Sequence, residues 1–207
     1  MRDRVFIIGW GSLIWDLDDL APKVEGAWRM GAGPRVPLEF SRVSVKRRMG
    51  LAVCIDVDHG APCPTHVIAS RRDDPFAARE DLAARERAPT ARIGVWCARS
   101  RRGDGRSAEL VAAWCEGVGA AGAVWTDLTA NYAEHHPQGF SLDHAEAYLA
   151  GLRGESRDEA VRYIENAPAG TDTPLRRRLA ARAWWRAEAA RVAALDAGRR
   201  SGAGLSG

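Results

Sequence analysis

The stretch "RVFIIGWGSLIWD", Arg4 to Asp16, constrains the fold most. Val5 to Ile8 is an unbroken apolar run of a few residues. It is too short for the hydrophobic region of a signal peptide and reads as a buried strand. The strand runs straight into Gly9-Trp10-Gly11-Ser12. Glycines on both sides of Trp10 let the backbone bend through conformations closed to other residues, so a sharp turn is expected where the strand ends.

Five further segments read as strands. "VPLEFSRVSV", Val36 to Val45, alternates with period two and can bring Leu38, Phe40 and Val43 to one core across a single irregularity. "GLAVCIDV" (Gly50 to Val57), "THVIAS" (Thr65 to Ser70), "IGVWCA" (Ile93 to Ala98) and "GAVWTDL" (Gly122 to Leu128) are compact apolar runs bounded by turn residues. Helices are interleaved. "DPFAAREDLAARERA" has Asp74 as N-cap and Pro75 at the first helical position. "SAELVAAWCEGV" is a second. "SLDHAEAYLAGL" starts from Ser141 and lines up Ala145, Tyr148, Leu149 and Leu152. "SRDEAVRYIENA" suggests a capping box between Ser156 and Glu159. A last helix is expected from Asp172 or Thr173 to about Leu195.

Strands and helices do not alternate strictly, so a doubly wound parallel sheet is not expected. The order predicts an α+β fold: a curved mixed sheet or small barrel with packed helices and a helical C-terminal third. A length of 207 residues suits one domain, expected over 1–197, followed by a disordered tail at 198–207. No apolar run is long enough to span a bilayer, which predicts a cytoplasmic protein without membrane contact. A net charge of +3, with acids and bases interspersed, is not a nucleic-acid footprint. The four cysteines, Cys54, Cys63, Cys97 and Cys115, form no C-x-x-C pair and read as free, buried thiols. His135-His136 lacks a third ligand at metal spacing, so no metal is expected. Of the eight tryptophans, Trp15, Trp96 and Trp125 lie in or beside strands and are expected in the core. Only one of Trp184 and Trp185 can face it. The arginines of "LRRRLAAR" read as a solvated helix face. The sequence says nothing of oligomeric state.

Three chemistries compete for "GWGSLIW". A dinucleotide fingerprint needs a third glycine where Ile14 stands. A nucleophile elbow needs glycines two residues either side of Ser12, where Trp10 and Ile14 stand. What remains is a turn whose successive N–H groups converge on an anion or carbonyl oxygen, or one whose glycines only relieve packing. Elsewhere, Glu86 lies between Arg85 and Arg87 near a helix end, where a surface ion pair is the ordinary reading; Glu80, six residues earlier, faces elsewhere and reads as a solvated acid. Arg42 can bind a substrate carboxylate or make an ion pair on the sheet face.

"FIIGWGSLIW" resembles the signature loop of the gamma-glutamylcyclotransferase-like superfamily, in particular its ChaC-like branch, where an apolar strand leads into G-Y-G-S-L-I-W. Gly9, Gly11, Ser12, Leu13, Ile14 and Trp15 match; Trp10 replaces tyrosine. The family's second motif, L-x-x-R-E, is matched by Leu82, Arg85 and Glu86 and followed by a strand, "IGVW". "TDLTANY" resembles a later segment and would give Asn131 and Tyr132 minor roles.

The resemblance implies an acyltransferase-like lyase without cofactor. The α-amine of a γ-glutamyl compound, such as glutathione or another γ-glutamyl amine, attacks its own γ-carbonyl, releasing 5-oxoproline and a free amine or peptide. It makes Glu86 the acid/base, in a partly desolvated pocket. It makes Gly9, Trp10, Gly11, Ser12 and Leu13 the substrate-binding set, which Arg42 joins on the geometry of its guanidinium alone. Trp10 would then shift specificity rather than reaction type. A different outcome of the same fold is a non-catalytic protein that binds a small acid. A pocket-facing Glu86 favours the enzyme and a surface-exposed one the binding protein.

Overall fold

The computed structural model describes residues 3–203. In chain order the strands are β1 (Val5–Gly9), β2 (Val24–Arg29), β3 (Arg35–Ser44), β4 (Gly50–Ile55), β5 (Ala61–Pro64), β6 (His66–Ser70), β7 (Ile93–Cys97), β8 (Arg102–Asp104) and β9 (Gly122–Thr126). The α-helices are α1 (Pro75–Glu86), α2 (Ala108–Val118), α3 (Tyr132–His135), α4 (Leu142–Gly151), α5 (Gly154–Asn166), α6 (Pro174–Ala180) and α7 (Ala183–Ala203). The fold is α+β. A mixed six-stranded sheet has the order β2-β6-β1-β9-β7-β8, and a second sheet has the order β4-β3-β5.

β1 lies at the centre of the large sheet, antiparallel to β6 and parallel to β9. Its unbroken apolar run is explained by burial on both faces. Phe6 and Ile8 join one apolar cluster with Phe40, Leu51 and the C-terminal helices. Val5 and Ile7 join a second, against Leu82 and Ala78 of α1. α1 starts as its sequence signals: the Asp74 carboxylate accepts from the Phe76 N–H, and Pro75 holds the first helical position.

In β3 the period-two pattern breaks at a register shift between Glu39 and Arg42. The bulge keeps Leu38, Phe40 and Val43 all buried and brings Arg42 opposite Ala52. The three strands that the apolar pattern does not announce, β2, β5 and β8, are all edge strands. β5 carries Pro62 and Pro64, tolerated where a ladder has only one neighbour. β8 is fully exposed, and β2 is largely so.

Several local expectations are corrected. α5 begins at Gly154 with no side-chain cap, so Ser156 and Glu159 lie inside it rather than forming a capping box. Glu159 instead pairs with Arg47 at 3.0 Å. The single helix expected from Thr173 to Leu195 is two, α6 and α7, capped at the start by the Thr173 hydroxyl accepting from Arg176 N–H. α7 continues to Ala203, so residues 198–203 of the expected disordered tail are helical. Alanine-rich sequence and Arg199 near a helix C-terminus favour this; residues 204–207 lie outside the described residues. Trp15 is 42% exposed rather than core, set edge-on to the Tyr163 ring. Trp185 is buried, while Trp184 is covered by the Arg157 guanidinium. Arg178, expected on a solvated face, ties α6 to Asp143 and Glu146 of α4. Among the described residues, no helix is long and apolar enough to cross a membrane.

Candidate active site

The parallel neighbours β1 and β9 end side by side, with Ile8 opposite Trp125. Beyond their carboxyl ends lies a cavity of about 470 Å³, closed on other sides by the C-terminus of α1 and by β3 and β4. Its size suits a small molecule, and the carboxyl ends of parallel strands are where open sheets leave such a crevice.

Glu86 is the last residue of α1, and its carboxylate lines the cavity with 14% of its side chain exposed. A carboxylate at that end meets the negative pole of the helix dipole. The neighbouring Arg85, 2% exposed, offsets this: its Nη1 donates to Glu86 Oε1 at 2.7 Å, and its Nη2 donates to the carbonyl of Asp16. Thr126, the last residue of β9, donates its hydroxyl to the same oxygen at 3.3 Å. Both contacts fall on Oε1; Oε2 holds no hydrogen bond among the described residues. Glu86 is the one carboxylate among the described residues lining the cavity.

The turn after β1 lines the same cavity as Glu86. Gly9, Trp10, Ser12 and Leu13 line the cavity, whereas Gly11 lies behind them. The glycines have different physical reasons. A Cβ on Gly9 would stand 2.5 Å from the Trp28 ring. Gly11 has φ +56°, and a Cβ there would meet Tyr163 Oη at 2.7 Å and Val53 Cγ1 at 2.8 Å. Gly11 to Ile14 form one 3₁₀ turn. At the head of such a turn the N–H groups of Gly11, Ser12 and Leu13 have no partner within the helix. Trp10 is 7% exposed and extended.

The remaining wall is strongly basic. Arg42, Lys46, Arg47, Arg85, Arg87 and Arg92 all line the cavity. Arg42 makes no sheet-face ion pair among the described residues; its Nη1 donates to the carbonyl of Thr129 at 2.6 Å. Arg47 lies 4.9 Å from the centre of the buried Tyr163 ring. Burial pushes the Tyr163 hydroxyl up to about 12, so it is a neutral donor at physiological pH.

Of the expected set, Glu86, Gly9, Trp10, Ser12, Leu13 and Arg42 meet at one cavity, and Gly11 supports it from behind. Sequence reasoning assigned no role to Thr126, Arg92 or Tyr163. Thr126 could have been noticed as the polar residue closing the apolar run of β9. Tyr163 carries no such mark, because helix α5 reaches the cavity only through tertiary packing. Asn131 acts locally: it accepts from Val43 N–H at 2.7 Å and returns a donor to the Val43 carbonyl, fixing the strand residue beside Arg42. Of the two adjacent histidines, His135 lines the cavity, and His136 packs tilted against Tyr132 and edge-on to Tyr148. All four cysteines are buried and unpaired. Cys54 also lines the cavity, and burial pushes its thiol up to about 11, which keeps it protonated and a poor nucleophile. Glu80 is exposed. No family model, curated protein or solved structure matches the chain.

Proposed function

We propose that the protein is an intramolecular cyclotransferase that acts on a γ-glutamyl compound, in a fold of the gamma-glutamylcyclotransferase type. One observation carries the reading: a part-buried carboxylate with one unpartnered oxygen lines a small-molecule cavity together with the glycine turn. In this reading Glu86 Oε2 takes a proton from the substrate α-ammonium. The freed amine attacks the γ-carbonyl carbon, a C–N bond closes the five-membered ring, and Glu86 returns the proton to the leaving nitrogen as the original C–N bond breaks; the second proton of the attacking nitrogen passes to the released amine, which leaves as an ammonium. Arg85 and Thr126 hold the carboxylate through Oε1, so its orientation does not change between the two transfers. The turn at Ser12 and Leu13 supplies N–H donors to the tetrahedral oxyanion. Because nucleophile and electrophile belong to one molecule, fixing the folded-back conformer is a large part of the rate.

The test is incubation with a panel of γ-glutamyl compounds, glutathione included, with 5-oxoproline detected by mass spectrometry. Glu86→Gln keeps shape and polarity but cannot accept the proton. It is expected to lose about 10²–10⁴-fold in turnover. A second reading is a non-catalytic protein binding a small acid, favoured by the existing Arg85–Glu86 pair and by the basic cavity wall. Tight binding of an acid, with no 5-oxoproline from any compound, would establish it.

A further inference from the structure

The cavity holds more positive charge than the cyclotransfer reaction uses. Protein acids match three of its six cations: Glu86 matches Arg85, Glu159 matches Arg47 at 3.0 Å, and Asp18 matches Arg87 at 3.2 Å. Arg42, Lys46 and Arg92 form no ion pair among the described residues. Two of these three converge on Thr129. Arg42 Nη1 reaches its carbonyl at 2.6 Å, and Arg92 Nη1 reaches its hydroxyl at 3.0 Å. Burial, the largest influence, pushes the Arg42 guanidinium below its ordinary value; Cys54 acts the other way, the Arg92 charge adds to the lowering, and the Glu134 carboxylate opposes it without closing an ion pair. Two like charges are therefore fixed beside one cavity by uncharged acceptors. Each guanidinium keeps most of its five donors for something else.

A γ-glutamyl group brings one carboxylate and one ammonium and is neutral overall, so it cannot balance this end of the cavity. We propose that Arg42 and Arg92 form an oxyanion clamp for a negatively charged group on the leaving-amine side of the substrate. Among γ-glutamyl amines, the clamp then favours those whose amine portion carries a phosphonate or phosphate. The substrate class rests on the cyclotransfer reading; the clamp itself does not. Arg92 stands on the short 3₁₀ turn Thr90–Arg92, ahead of β7, and is exposed, so it can be replaced without disturbing the core.

Three amides that differ only in leaving-group charge decide it: γ-glutamyl-aminomethylphosphonate, γ-glutamylglycine and γ-glutamylglycinamide. For the wild type, kcat/KM is expected to fall in that order, by about 10- to 100-fold from first to last. Arg92→Gln should bring the three values together, and Arg92→Lys should restore part of the order. Calorimetric titration with inorganic phosphate gives a second readout, independent of turnover: binding by the wild type that Arg92→Gln abolishes supports the clamp. Equal turnover of the three amides by the wild type overturns the clamp while leaving the reaction intact. No 5-oxoproline from any of them overturns the reaction, and phosphate titration still decides the clamp, because equal binding by wild type and Arg92→Gln overturns it.

Discussion

Gly11 shows how one residue can be silent in the chemistry and decisive for the site. It does not line the cavity, yet its left-handed φ and the closeness of Tyr163 and Val53 set the path of the turn that does. Gly11→Ala combines backbone strain with a Cβ forced against two packed side chains. It is expected to cost roughly 2–4 kcal/mol and to lower Tm by about 5–10 °C in thermal unfolding. Gly11, Ser12 and Glu86 stood out through the resemblance; on their own, the glycines allow a turn that only relieves packing and an acid between two arginines reads as a surface ion pair. Arg85 enters only as a letter of the same motif. Its importance comes from being 2% exposed beside a carboxylate, and a surface-looking "ARER" run gives no hint of that burial.

Elements are joined here by buried polar contacts as well as by apolar faces. Glu39, in β3, is fully buried and accepts from Phe40 N–H at 2.7 Å and, through its other oxygen, from Leu175 N–H at 3.0 Å in the first turn of α6. One carboxylate thus clips the small sheet to the C-terminal helices. Burial, the largest influence, raises its proton affinity above the ordinary value of 4.5 despite these donors. A folded carboxyl that holds its proton more tightly than the unfolded one stabilises the fold most at low pH. That contribution is lost as pH rises from the ordinary value through the raised one. The stability of the wild type relative to Glu39→Gln is therefore expected to fall as pH rises past the ordinary carboxylate value of 4.5, as read from urea-unfolding midpoints. The helix caps at Asp74, Ser141 and Thr173 were legible because the cap is a local, three-residue device. The break between α6 and α7 was not: the alanine- and arginine-rich sequence has no proline or glycine there. The edge strands were equally hidden, since their backbone pairs without an apolar alternation to advertise it.

At the scale of the whole molecule, the C-terminal helices complete the core on which the sheets depend. Leu175, Leu179, Trp185 and Val192 belong to the same apolar cluster as Phe40, Leu51 and Ile55. Burying four such side chains contributes about 6–12 kcal/mol, comparable to the net stability of a whole domain. A chain ending at Gly170 is therefore expected to lose cooperative unfolding, measured by circular dichroism in urea, and to lose the cavity with it. If that shortened chain unfolds cooperatively, the helices are a separate unit.

By itself the sequence determined whatever depends on neighbours along the chain. The buried central strand follows from four consecutive apolar residues, the turn after it from two glycines, and the starts of α1, α4 and α6 from their caps. The class of fold follows from their order. The tertiary structure alone decided what depends on residues far apart in the chain. It brought the end of α1 to the ends of β1 and β9, so that Glu86, at the C-terminus of one element, shares a cavity with a turn some 70 positions earlier. It buried Arg85, exposed Trp15, and set Arg42 and Arg92 on two atoms of Thr129. Burial and charge convergence are sums over long-range contacts, and no local pattern of residue types contains them.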